Sequence, residues 1–111
     1  HVETIWKKCQ DIKVKKKLKF KSEMQHALTH VFKSNFGIEI DCDAIKNMPS
    51  SAMTPSGFSS NQARRFVSLI GAHKNAKYLH ICEAAPKKST KTKVGKFVSY
   101  LITDFIKAHG Y

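Results

Sequence analysis

The sequence predicts an α/β protein whose strands pair in parallel. Three observations carry this reading. Two short apolar runs, at residues 38–41 and 77–82, are separated by a stretch of helical periodicity. Strands joined through a helix form a parallel pair in a right-handed βαβ unit. Helix-period stripes also precede the first strand and follow the second, so the expected order is helix, strand, helix, strand, helix. Two strands are too few for a stable sheet with helices on both faces. The 111 residues, which begin at His1 rather than Met, are therefore expected to be the C-terminal portion of a larger doubly wound domain.

Residues 1–21 carry Lys7, Lys8, Lys13, Lys15, Lys16, Lys17, Lys19 and Lys21. Val14, Leu18 and Phe20 alternate loosely with these lysines, which predicts a basic arm or edge segment. Residues 22–111 form the domain segment proper. A helix is expected over 22–34. Ser22 and Gln25 have the spacing of a capping box, and Met24, Ala27, Leu28, Val31 and Phe32 recur on one stripe. Asn35 and Gly37 end it. In the strand at 38–41, Ile38 and Ile40 share one face, while Glu39, Asp41 and Asp43 share the other. Residues 44–58 contain Pro49, Pro55, Gly57 and many serines, and read as a long loop of the kind that usually carries function. Ser59, with Gln62 three residues on, caps the next helix. Its stripe is Ala63, Phe66, Val67 and Ile70, and Gly71 stops it. The second strand covers 77–82, and Glu83 begins the loop after it. The last helix spans 92–109, with Val94, Phe97, Val98, Leu101, Ile102 and Phe105 on its stripe and Gly110 beyond.

Composition narrows the function classes. Hydrophobic residues make up 41% and aromatics 10%, which argues against disorder for the chain as a whole. No apolar run approaches the ~20 residues of a membrane span, and none reads as a signal peptide. Three cysteines (Cys9, Cys42, Cys82) without tight spacing argue against a disulfide framework, and the cytoplasm is the expected compartment. Twenty Lys+Arg against eight Asp+Glu give a net charge of +12. That charge supports an alternative reading, a small basic module binding nucleic acid or another polyanion. The distribution weakens it. Only Arg64 and Arg65 are arginines, the usual bidentate readers of bases and phosphates, and a lysine run is more often a solvated surface. Nucleic acid is not the expected partner. No Gly-rich phosphate loop or Gly-x-Ser-x-Gly elbow is present.

The acids are few but placed together. Asp41 and Asp43 fall at the C-terminal end of the first strand and Glu83 at that of the second. Ligands of open parallel sheets bind outside these ends. Glu39, Asp41, Asp43 and Glu83, half of the eight acids, could thus converge on one rim. Packed carboxylates repel unless a cation intervenes, and a divalent metal is the natural neutraliser. The simpler reading is that Asp41 and Asp43 cap the loop after the strand. His26 and His30 lie off the apolar stripe and are expected in solvent; the zinc-protease pattern needs Glu where Ala27 stands. His80, between Leu79 and Ile81, reads as a buried neutral histidine, with a role beside the acid rim as the other reading. Cys42 and Cys82 are expected to pack as small residues. No spacing supports a zinc site built from the three cysteines and a histidine.

Three motifs together resemble a known family. They are Ile38-Glu39-Ile40-Asp41-Cys42-Asp43-Ala44-Ile45, Thr54-Pro55-Ser56-Gly57-Phe58-Ser59 and Leu79-His80-Ile81-Cys82-Glu83-Ala84-Ala85-Pro86. In order and spacing, from about Ser22 to Gly110, they resemble the C-terminal part of the arginase/agmatinase/formimidoylglutamase superfamily, the ureohydrolases. They look most like bacterial formimidoylglutamase-like members. The resemblance implies a three-layer α/β/α fold and a centre of two manganese ions that lowers the pKa of a water for hydrolysis. It implies that Asp41 and Asp43 are metal ligands. Glu83 would contact the amidine or guanidinium end of the substrate, and Thr54 belongs to the loop at the site's mouth. A small-molecule amidine or guanidine is the implied substrate, and the full-length parent is expected to be a homo-oligomer. The family's Asp-x-His-x-Asp motif is absent from the 111 residues. His80 and Ala85 stand where many relatives carry Asp and Asn. Only part of the ligand set is present, so the isolated residues are expected to be inactive, and activity is expected of the parent.

Overall fold

The computed structural model describes Met24, His26, Thr29, His30 and residues 32–110. The expected lysine-rich arm over 1–21 lies outside the described residues, as do Ser22, Gln25, Ala27, Leu28 and Val31.

Strand β1 (Phe36–Asp41) is followed by a single 3-10 turn (Cys42–Ala44), helix α1 (Ser60–Gly71), strand β2 (Ala76–Cys82) and helix α2 (Lys91–Ala108). The two strands pair in parallel, with Ile38 opposite Leu79, Glu39 opposite His80, and Asp41 opposite Cys82. Among the described residues the sheet has these two strands. The parallel βαβ unit anticipated from the spacing is therefore present.

Local chemistry explains the helix that the sequence marks best. Gln62 N–H donates to Ser59 Oγ at 3.1 Å, and Ser59 N–H donates to Gln62 Oε1 at 3.0 Å. This reciprocal pair satisfies two amides that a helix start would otherwise leave without partners. The stripe of α1 is buried as expected, and Val94, Phe97 and Leu101 of α2 are buried with it. Ile38 and Ile40 of β1 join these side chains in one cluster. The helices are also tied by polar contacts. Arg64 on α1 grips Asp104 on α2 through two hydrogen bonds of 2.8 and 3.0 Å. His109 Nδ1–H donates to the Gly71 carbonyl at 3.0 Å, which fixes the proton on Nδ1 because a carbonyl can only accept.

Four expectations need correction. Met24 and His26 are helical, but the described residues from Thr29 to Ser34 are turn and bend rather than the end of a helix. The Thr29 hydroxyl and amide both donate to the His26 carbonyl, at 2.6 and 3.2 Å. A threonine hydroxyl that bonds the preceding turn competes with the helical ladder. Asn75 Nδ2 then holds the Phe32 carbonyl at 2.6 Å, and Phe32 is exposed rather than on a buried stripe. Gly37 is a strand residue, not a helix stop. A Cβ there would lie 2.0 Å from Cζ of Tyr78, so glycine is present for the close approach of that ring. Ile102, placed on the stripe of α2, is 45% exposed.

The fourth correction concerns residues 44–58, which are not structureless. Ile45, Met48 and Phe58 are buried within this stretch, and short bridges pair Ile45 with Phe58 and Lys46 with Thr54. Gly57 allows this fold-back, since a Cβ there would meet the Ala44 carbonyl oxygen at 2.6 Å. Three apolar anchors hold what serine and proline content alone marks as loop.

Candidate functional site

The site begins where β1 ends. Asp41 Oδ1 accepts from the Asp43 amide at 2.8 Å, capping the 3-10 turn. That turn carries Asp43 toward the loop. There its carboxylate accepts from Ala52 N–H at 2.8 Å and from the Ser51 hydroxyl at 3.1 to 3.2 Å. These bonds hold the Asp43 carboxyl below the usual carboxylate range, with the Ala52 amide as the largest cause.

Ser51 also reaches across to the second strand. Its Oγ lies 2.5 Å from Glu83 Oε2. One hydroxyl carries one proton, so it can donate to Asp43 or to Glu83 but not to both at once. Asp43 keeps the Ala52 amide as a second donor, whichever acid the hydroxyl serves. The backbone is built to keep the two acids close. Ser51 N–H donates to the Glu83 carbonyl at 3.2 Å, and Ala85 N–H donates to the Pro49 carbonyl at 3.1 Å. The loop after β1 is zipped to the segment after β2. Glu83 itself has φ of +66°, a left-handed backbone that is costly for a residue with a side chain, about 1–3 kcal/mol.

Glu39 takes a different place. Its Oε1 is 3.6 Å from His80 Nδ1 and 4.0 Å from Cys82 Sγ. His80 is not buried: its side chain is 57% exposed. The parallel register sets Glu39 and His80 side by side on the face of the strand pair opposite Ile38 and Ile40, away from the helices. Cys42 is fully buried, as expected of a small packing residue, and burial pushes its thiol up to about 11. The Cys82 thiol is raised too, first by burial and then by Asp41 and Glu39. His26 and His30 are exposed, in keeping with the sequence.

The residues named from sequence therefore divide. Asp43 and Glu83 meet at Ser51, Asp41 sits one hydrogen bond away as a cap, and Glu39 belongs with His80 and Cys82. Thr54 uses its hydroxyl locally, donating to the Ser56 carbonyl at 2.9 Å and accepting from Ser56 N–H at 3.0 Å. Sequence reasoning missed Ser51, one of many serines in its loop, which only the fold-back singles out. It also missed the grouping of Glu39, His80 and Cys82. The signal for the latter was available: His80 and Cys82 alternate onto one face, the face that the parallel neighbour gives to Glu39.

No family model matches the sequence, and no curated protein matches it. Solved structures do. Arginase from Bacillus subtilis subsp. subtilis str. 168 superposes with a TM-score of 0.71 at 15% identity, over 81% of this chain and 33% of that one. The chain has part of an arginase fold. Another structure of Bacillus subtilis arginase gives a TM-score of 0.59 at 15% identity, over 74% of this chain and 35% of its own. The chain spans about a third of the length of these arginases. The likeness establishes the α/β fold with its parallel strands, in agreement with the sequence.

Asp41 and Asp43 offer carboxylate oxygens at a strand end, the donor type that suits a hard divalent cation such as manganese. The sequence contains no Asp-x-His-x-Asp motif.

Proposed function

We propose that this chain is the C-terminal part of a metal-dependent hydrolase that cleaves C–N bonds of linear amidines or guanidines, formimidoylglutamase-like or agmatinase-like. The observation that carries the reading is the single Ser51 hydroxyl set between Asp43 and Glu83 at the carboxyl ends of a parallel pair with an arginase-type fold. Asp41 and Asp43 would hold metal, with two manganese ions in the complete site. Bound metal supplies a water acidic enough to act near neutral pH.

The chain's own residues do the rest. Glu83 presents a carboxylate to the cationic amidine or guanidinium end, a charge-assisted and planar match. Its carbonyl accepts from Ser51 N–H, and the Ala85–Pro49 bond ties the residues just after it to the same loop, so the carboxylate is placed before substrate arrives. Ser51 couples the position of Glu83 to that of Asp43. Thr54 stiffens the turn at the mouth. The 111 residues alone are proposed to be inactive, because they carry only part of the ligand set.

The test uses the full-length protein loaded with Mn2+ and a panel of linear guanidines and formimino compounds, reading release of urea, formamide or ammonia. Activity on one of these is expected. Asp43→Asn should lower it by at least about a hundredfold, beyond the loss typical of disturbing the residues around a ligand. Metal-loaded protein with no turnover on any member of the panel would overturn the reading.

A further inference from the structure

We propose that Glu39, His80 and Cys82 form a second metal site, selective for Zn2+ and similar borderline cations, on the face of the β1–β2 pair away from the helices. The inference stands on side-chain chemistry and strand register and is independent of the hydrolase reading. A carboxylate, an imidazole and a thiol are brought together, with one ligand atom from each lying within 4.8 Å of the others. The two separations that involve Glu39 Oε1 are 3.6 Å to His80 Nδ1 and 4.0 Å to Cys82 Sγ. Tetrahedral zinc, with bonds of about 2.0–2.3 Å, needs its ligand atoms roughly 3.3–3.8 Å apart. The Glu39–His80 separation already falls in this range, the Glu39–Cys82 one lies just outside it, and a side-chain rotation at His80 and Cys82 is what binding would require.

The scaffold is a rigid one. Glu39 and His80 are register partners across the parallel ladder, and Cys82 lies two residues further along β2 on the same face. Ligands carried on paired strands keep their spacing better than ligands on loops. The donor set also separates this site from the carboxylate rim. Oxygen ligands alone suit manganese, magnesium or calcium, whereas thiolate and imidazole select zinc and its neighbours. Three protein ligands leave the fourth tetrahedral position for water or an incoming group.

Co2+ titration of the full-length protein tests this, because a thiolate bound to cobalt gives a charge-transfer band that carboxylates do not. The band is expected in the wild type and in Asp41→Asn/Asp43→Asn, and is expected to vanish in Cys82→Ser. Zn2+ affinity, read by competition with a chromogenic chelator, should fall at least about tenfold in Glu39→Gln and in His80→Gln. The His80→Gln variant keeps the test decisive if Cys82→Ser folds poorly. Absence of the band, its survival in Cys82→Ser, or unchanged zinc affinity in His80→Gln would each overturn the proposal.

Discussion

Glu83 shows how a single residue can be held against its own preference. Its φ of +66° is a conformation that glycine adopts freely and glutamate does not. Glu83→Gly is therefore expected to maintain or raise stability, by about 1 kcal/mol, while abolishing turnover in the full-length protein. Urea unfolding beside an activity assay checks this; a clear loss of stability would mean that the bond from Ser51 outweighs the strain. Cys42 makes a second prediction. Burial raises its thiol to about 11 from an ordinary value near 9, so the folded state disfavours the thiolate. The unfolded chain ionises first as pH rises. Its contribution to stability is therefore complete below pH 9 and is lost on the way to about pH 11. Unfolding at a series of pH values should show this extra alkaline loss in the wild type and not in Cys42→Ala.

At the scale of elements, the legible parts are those whose signals are local. Helix α1 is marked by a cap and a stripe that lie within its own residues, and the structure reproduces both. Ser59→Ala should cost about 1 kcal/mol, measured by thermal or denaturant unfolding, since it removes one half of the reciprocal cap. The helix expected over 22–34 was misread at its end because the decisive bonds are not periodic. Thr29 bonds back to His26, and Asn75, from the turn before β2, takes the Phe32 carbonyl. The Arg64–Asp104 pair between α1 and α2 was equally hidden. Arg64 also lies 4.6 Å from the centre of the Tyr100 ring, so its planar group is used twice. Arg64→Lys keeps the charge but loses the fork and the stacking. A loss of about 0.5–1 kcal/mol is expected, modest because Arg64 is 39% exposed.

For the molecule as a whole, stability rests on one apolar cluster shared by β1, the loop after it, α1 and α2. Leu101 is fully buried at its centre. Leu101→Ala should cost about 2–5 kcal/mol, a large share of the roughly 5–15 kcal/mol a domain possesses. Denaturant unfolding of the two proteins gives the number directly. Among the described residues, Glu39, His80 and Cys82 lie on the other face of the strand pair, outside that cluster.

The sequence by itself determined the fold class, the order of the last four elements and the presence of acids at both strand ends. Each follows from periodicity or from position along a strand, and both are local properties. Only the tertiary structure decided which acid meets which. The parallel register drew Glu39 away from the rim to His80 and Cys82, and it exposed a histidine that two apolar neighbours suggested was buried. The buried anchors Ile45, Met48 and Phe58 folded a serine-rich stretch back so that one hydroxyl stands between Asp43 and Glu83. Those partners are separated by 8 and 32 residues along the chain, and no local pattern encodes a contact that depends on how the chain folds back on itself.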